Sequence, residues 1–303
     1  MTGTADLSLL AAGVMGVLAL VSVTAAVLGR QQGHRLRATA ETLGDQAASW
    51  WTIAALLFLA MLFGREGVVV LSALVSFTAL RELLTLAAKR RADHNALAAA
   101  FFLMLPVQYW LVWIDWYGLF SIFVPVYAFL VLPMLSALRG DPENFLVRVS
   151  EAHWALMIAV FAASHVPALM SLPIAGFEGR GVLLIAFLIL VVQTVDLARG
   201  LAGIWTGQAD DRRAVAACLG AATVVGAALW WITPFSPWAA AAMALMIATL
   251  GYCGGLVMEA IRHDTGVQAS RAWDASGGVV DRIDSVVFAA PVFFHVTRFF
   301  WAA

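Results

Sequence analysis

Apolar runs about the length of a bilayer-crossing helix recur along this chain from Leu7 to its last residues. A segment of roughly 20 apolar residues in hydrocarbon must satisfy its own backbone hydrogen bonds, which an α-helix does and irregular chain does not. Such runs fall near 7–29, 47–63, 67–88, 96–114, 117–138, 153–172, 182–201, 214–232, 238–258 and 284–302. The sequence therefore reads as an all-α polytopic integral membrane protein of about ten transmembrane helices, with residues 1–303 forming a single transmembrane domain. A mean hydropathy of +0.88 excludes a soluble core. The first run follows Asp6 rather than basic residues, and Ala25-Ala26-Val27 makes a poor cleavage site, so it reads as a retained span and not a signal peptide.

Hydropathy alone also allows eight or nine spans, because the second run is short and only Asp115-Trp116 separates the fourth from the fifth. Charge favours ten. With ten, alternate connections collect Arg30, Arg35 and Arg37; Arg81, Lys89, Arg90 and Arg91; Arg139 and Arg148; Arg199, Arg212 and Arg213; and Arg262, Arg271 and Arg282. The other side keeps Arg65, Arg180 and Arg298. The positive-inside rule then places the polar face in the cytoplasm and both termini outside it, as for a multi-pass protein of a bacterial-type inner (plasma) membrane. Trp50-Trp51, Trp113, Trp116, Trp230-Trp231 and Trp238 stand at span ends as interfacial anchors. Asp115-Trp116 and Thr233 to Pro237 make tight external turns, while the cytoplasmic connections, including Arg30 to Gln46, Arg139 to Glu151 and Glu259 to Ile283, are longer and more polar.

Cys218 and Cys253 lie inside apolar runs as packing residues. His165 reads as an imidazole bonded to the backbone of a neighbouring helix or as a proton relay, and His295 with Arg298 as interfacial groups. Arg81-Glu82 reads as an ion pair or neighbour contact at a span end, and Arg139, Asp141 and Glu143 as a solvated loop. Asp196 ends an apolar run, with Gln193 one turn before it and Arg199 at i+3. An acid there is costly in hydrocarbon, so it either serves a site or pairs with Arg199 at the interface.

The densest polar stretch runs from Gly254 to Ser285, between the last two spans. Within it, Asp281 and Asp284 at i, i+3 project their carboxylates from one helix face. Two hard anionic oxygens on one face suit Mg²⁺, with water and substrate phosphates completing its shell. The competing reading is an acidic cap on a helix N-terminus, with Arg282 anchored to lipid phosphate. Gly277-Gly278 offers backbone N–H groups that can approach a phosphate closely, or simply a turn. Glu259, Arg262 and His263 share a helical face, either a salt-bridged surface or a phosphate contact through Arg262.

Residues 254–291, with Gly277-Gly278, Asp281-Arg282-Ile283-Asp284-Ser285 and Val286-Val287-Phe288-Ala289-Ala290, resemble the C-terminal signature of the phosphatidate cytidylyltransferase (CDP-diacylglycerol synthase) family. The resemblance implies a Mg²⁺-dependent nucleotidyltransferase of phospholipid biosynthesis that converts CTP and phosphatidate into CDP-diacylglycerol and pyrophosphate. It implies Asp281 and Asp284 as catalytic acids, and Asp196, Asp281 and Asp284 as the metal-binding set. It further implies Arg262, Arg271, Gly277, Gly278, Arg282 and Ser285 as substrate contacts. Membrane lipid is an expected partner, a homodimer is implied by the family, and nucleic acid is not expected. The family's Gly-Asp at the preceding span is Gly254-Gly255 here, its Lys-Arg pair is Arg262-His263, and its Lys-Asp falls at Gln268-Ala269. The His of its glycine turn is Ser276, and its Ser-Pro-x-Lys-Thr-x-Glu-Gly loop has no counterpart in the connection through Gly207. Two expectations stand: a divergent cytidylyltransferase, or a catalytically inactive homologue that keeps the fold and a phospholipid-binding role. A transporter fits less well, because paired interrupted helices are not evident.

Overall fold

The computed structural model describes residues 2–31, 33–86, 93–207, 211–264 and 278–302, and among them ten long helices stand at the positions of the ten apolar runs. They are α1 (Thr2–Leu28), α2 (His34–Met61), α3 (Gly64–Leu86), α4 (His94–Trp113), α5 (Tyr117–Ala137), α6 (Phe145–Ser171), α7 (Gly181–Thr206), α8 (Arg212–Ala228), α9 (Pro237–Asp264) and α10 (Val279–Trp301). The protein is thus an all-α polytopic membrane protein. Seven of these helices, α1, α3, α4, α5, α6, α7 and α9, are long and apolar enough to cross a membrane. The other three fall short for separate reasons. The first half of α2 is polar, α8 has only 17 residues, and α10 carries Asp281, Arg282, Asp284 and Arg298.

Two connections are shorter than the sequence suggests. Arg35 to Gln46 belongs to α2, where Thr39, Ala40, Leu43 and Ala47 recur at helical spacing and are buried. Averaged hydropathy does not see that stripe. Likewise α6 begins at Phe145 and takes in Arg148 and Glu151; Asn144 precedes it with a left-handed φ of 49°.

The chain divides into two compact units. One comprises Met1–Leu59, Leu172–Tyr252 and His295–Ala303, the other Ala60–Ser171 and Cys253–Phe294. In the first unit α7 is apolar nearly all round, with Leu183, Leu184, Ile185, Phe187, Leu188, Val191, Val192 and Val195 buried. A helix of that kind sits inside a bundle. Trp50 Nε1 donates to Gln193 Oε1 at 2.7 Å, tying α2 to α7. At Gly226 of α8 an added Cβ would lie 2.1 Å from Ala244 Cβ on α9 and 3.4 Å from Val191 Cγ2 on α7. The Ala244 methyl is fixed to its backbone and cannot rotate away. Gly226→Ala is accordingly expected to destabilise the protein by about 1–3 kcal/mol through overpacking. Gly220→Ala, where a Cβ meets nothing within 4 Å, leaves stability unchanged or slightly raised, and equilibrium unfolding in mixed micelles compares the two.

In the second unit α3, α4 and α6 pack together over a buried polar seam. Ser76 and Tyr109 share a hydrogen bond, and Gln108 Nε2 donates to Ser164 Oγ at 3.1 Å and to the Phe120 carbonyl at 3.3 Å. His165 is fully buried, with Nδ1 2.8 Å from the Phe161 carbonyl and the rings of Phe120, Phe161 and Phe294 around it. The backbone that His165 meets is that of its own helix and not of a neighbouring one, because the Phe161 carbonyl lies one turn before it. Widened π turns interrupt α4 at Ala100–Met104, α5 at Phe123–Ala128 and α6 at Met157–Ala162. Pro125 lies inside one of them and Pro106 just beyond another. A proline deletes an N–H from the ladder, and a wider turn relieves the clash that its ring creates. The short α4–α5 turn is held by Arg65, which donates to the Val112 carbonyl at 2.6 Å and pairs with Asp115, itself at a φ of 57°.

Candidate active site

The polar end of α9, the first turn of α10 and the end of α3 build one site in the second unit. Its frame is a close antiparallel approach. At Gly254 an added Cβ would lie 2.7 Å from Phe288 Cβ and Cγ, so the missing side chain is what lets α10 lie against α9. From that contact the chain rises about 12 Å along α9 to Arg262 and about 10 Å back along α10 to Asp281. The two residues arrive level, and the Arg262 guanidinium pairs with the Asp281 carboxylate. Both side chains remain about one-third exposed, at 32% and 28%.

Asp284 follows Asp281 by three residues in the same helix, as the spacing predicts. Its Oδ1 accepts from the Ser285 N–H at 2.6 Å and the Ser285 Oγ–H at 3.3 Å. Ser285 is buried and Arg282 exposed. Gly278 immediately precedes α10, while Arg271 and Gly277 lie outside the described residues. Glu259 is exposed on the same α9 segment as Arg262.

Sequence reasoning missed Glu82. This acid at the end of α3 accepts, through Oε2, the N–H of Val279 at 2.9 Å and of Val280 at 3.3 Å. Of the two readings of Arg81-Glu82, the neighbour contact is the one seen for Glu82, and its form is a cap on α10. A helix N-terminus leaves its first N–H groups without intrahelical partners and carries partial positive charge, so a carboxylate is the complementary group. Arg262 also lies within electrostatic reach of Glu82.

Among the described residues no group of three or more His, Cys, Asp or Glu side chains is arranged to hold a metal ion. Asp281 and Asp284 supply two carboxylates on one turn. Asp196 lies half-buried on α7 of the first unit, where the Arg199 guanidinium sits 5.2 Å from the Tyr252 ring centroid. Two carboxylates fit a hard cation that draws most of its shell from phosphate oxygens and water, as Mg²⁺ does, and do not fit one held by protein alone.

An acidic pair with an arginine at a capped helix terminus is equipped to manage phosphate charge. Residues 45–300 match the cytidylyltransferase family, and the chain belongs to that family. A relative in Escherichia coli (strain K12), called "Uncharacterized protein YnbB", is 33% identical over 266 residues, covering 83% of this chain and 86% of that protein. No solved structure matches the chain. Membership supports a CTP-dependent, transferase-like role on nucleotide and lipid-type substrates.

Proposed function

We propose that this protein is a phosphatidate cytidylyltransferase of a bacterial inner membrane, working on its cytoplasmic face. In the reaction an oxygen of the lipid phosphate attacks the α-phosphorus of CTP. The bond from that phosphorus to the oxygen bridging to the β-phosphate breaks, and pyrophosphate leaves as CDP-diacylglycerol forms. The observation that carries the reading is the pair of half-buried carboxylates, Asp281 in the first turn of α10 and Asp284 three residues on, with Arg262 held beside Asp281. Phosphoryl chemistry of this kind rests on positioning and on offsetting charge.

Asp281 and Asp284 would hold a Mg²⁺ that the nucleotide phosphates also bind. Such an ion offsets triphosphate charge. Arg282, exposed on the same turn, and Arg262 would contact phosphate oxygens, and Arg271 with the Gly277-Gly278 backbone would complete that contact. The relative's bacterial origin supports the inner-membrane location, and the outward termini rest on the one-sided distribution of Arg and Lys in the sequence alone.

Purified protein in phosphatidate-containing vesicles with CTP and Mg²⁺ is expected to release pyrophosphate and form a CDP-lipid. Phosphatidate binding without pyrophosphate release would replace this reading with that of an inactive, lipid-binding homologue.

A further inference from the structure

We propose that Glu82 is a positioning residue for the cytidylyl-transfer site, fixing the first turn of α10 so that Asp281 and Asp284 face the substrate. The inference rests on the function proposed above but comes from a separate observation. The last helix starts at Val279, only two residues before Asp281. Its N–H groups at Val279 and Val280 are taken by one oxygen of Glu82, which arrives from α3 almost two hundred residues earlier. The one acid in the first turn of α10, Asp281, is paired with Arg262. The other oxygen, Oε1, is shielded from solvent and has no hydrogen-bond partner among the described residues. A carboxylate that accepts two N–H groups through one oxygen and buries the other is held by its surroundings rather than by water.

Two consequences follow. The anion at the head of α10 is part of the protein, so substrate phosphate is met by side chains further along the turn and not by the Val279 and Val280 amides. And the heading of Asp281 depends on α3, an element with no residue in the signature itself.

Glu82→Gln and Glu82→Leu separate positioning from direct participation. Glutamine keeps an oxygen able to accept from Val279 and Val280 but loses the charge, whereas leucine loses both. If Glu82 positions, Glu82→Gln retains turnover within about threefold, and Glu82→Leu lowers kcat at least tenfold with KM for CTP changed less than threefold. Equal losses in both variants would overturn the proposal, pointing to an acid that touches metal or substrate. A lower KM for CTP in either variant would also overturn it, since Glu82 would then be occupying the nucleotide's own anion site. Hydrogen exchange at Val279 and Val280 gives an arm independent of turnover: faster in Glu82→Leu, near wild type in Glu82→Gln. Unchanged exchange in Glu82→Leu sinks the proposal even where the wild-type protein shows no turnover and the proposed function itself has failed.

Discussion

Asp281→Ala is expected to lower CTP-dependent pyrophosphate release by at least about a hundredfold, the scale seen when one preorganised electrostatic group is removed from a transfer site. The substitution removes one of the two carboxylates on the turn and takes from the Arg262 guanidinium the acid it pairs with. Arg262→Ala takes away the cation that holds Asp281 in place, and is expected to cost about tenfold. Because the two side chains act as a unit, the double variant should lose no more than Asp281→Ala alone. Initial rates at saturating and limiting CTP, measured for all four proteins, test this. Full multiplicative loss in the double variant would mean that Arg262 contacts phosphate independently of Asp281 and that the pairing of the two is incidental. Wild-type rates in Asp281→Ala would remove the acidic pair from the chemistry altogether. Asp284 tests the assumed equivalence of the two acids: its Oδ1 is already engaged by Ser285, so Asp284→Asn, which keeps an acceptor there, isolates the role of its charge.

What the sequence discloses about this site is what local rules govern. Asp281 and Asp284 lie on one face because helical spacing requires it, and Arg262 stands on a helix because the apolar run of α9 continues past Gly254 with a charged face. The seven helices apolar enough to cross a membrane were legible for the same reason: each is announced by its own residues. Contacts between distant segments were not. Nothing near Glu82 indicates that it caps a helix beginning at Val279, and nothing near Gly254 indicates that Phe288 will lie against it. The first half of α2 was hidden differently, since its buried stripe of Thr39, Ala40, Leu43 and Ala47 is diluted by intervening charges. Replacement of the family's acid by Gly255 was visible in sequence; why its neighbour must be glycine was not, until the approach of α10 supplied the reason.

Arg148 shows the same blindness with a larger energetic effect. Sequence places it in a solvated connection after Arg139, Asp141 and Glu143, and Arg139 and Glu143 are indeed exposed. Arg148 is not. Its side chain is 3% exposed and pairs through Nε with Asp93 Oδ2 at 2.8 Å, joining the start of α6 to the start of α4. It also donates to the Glu143 carbonyl and, at 3.0 Å, to the Asp141 carbonyl, so one guanidinium organises the whole loop ahead of α6. Breaking a buried pair from one side leaves an uncompensated charge, which costs about 3–5 kcal/mol, whereas replacing both partners by apolar groups is often close to neutral. Arg148→Met is therefore expected to lower stability by that amount in equilibrium unfolding in mixed micelles, and Asp93→Leu by a similar amount. The double variant should regain much of the loss, though not all, because the Asp141 and Glu143 carbonyls still lack their donor. A double variant no more stable than Arg148→Met would show that the carbonyl bonds, and not the ion pair, hold this end of the second unit.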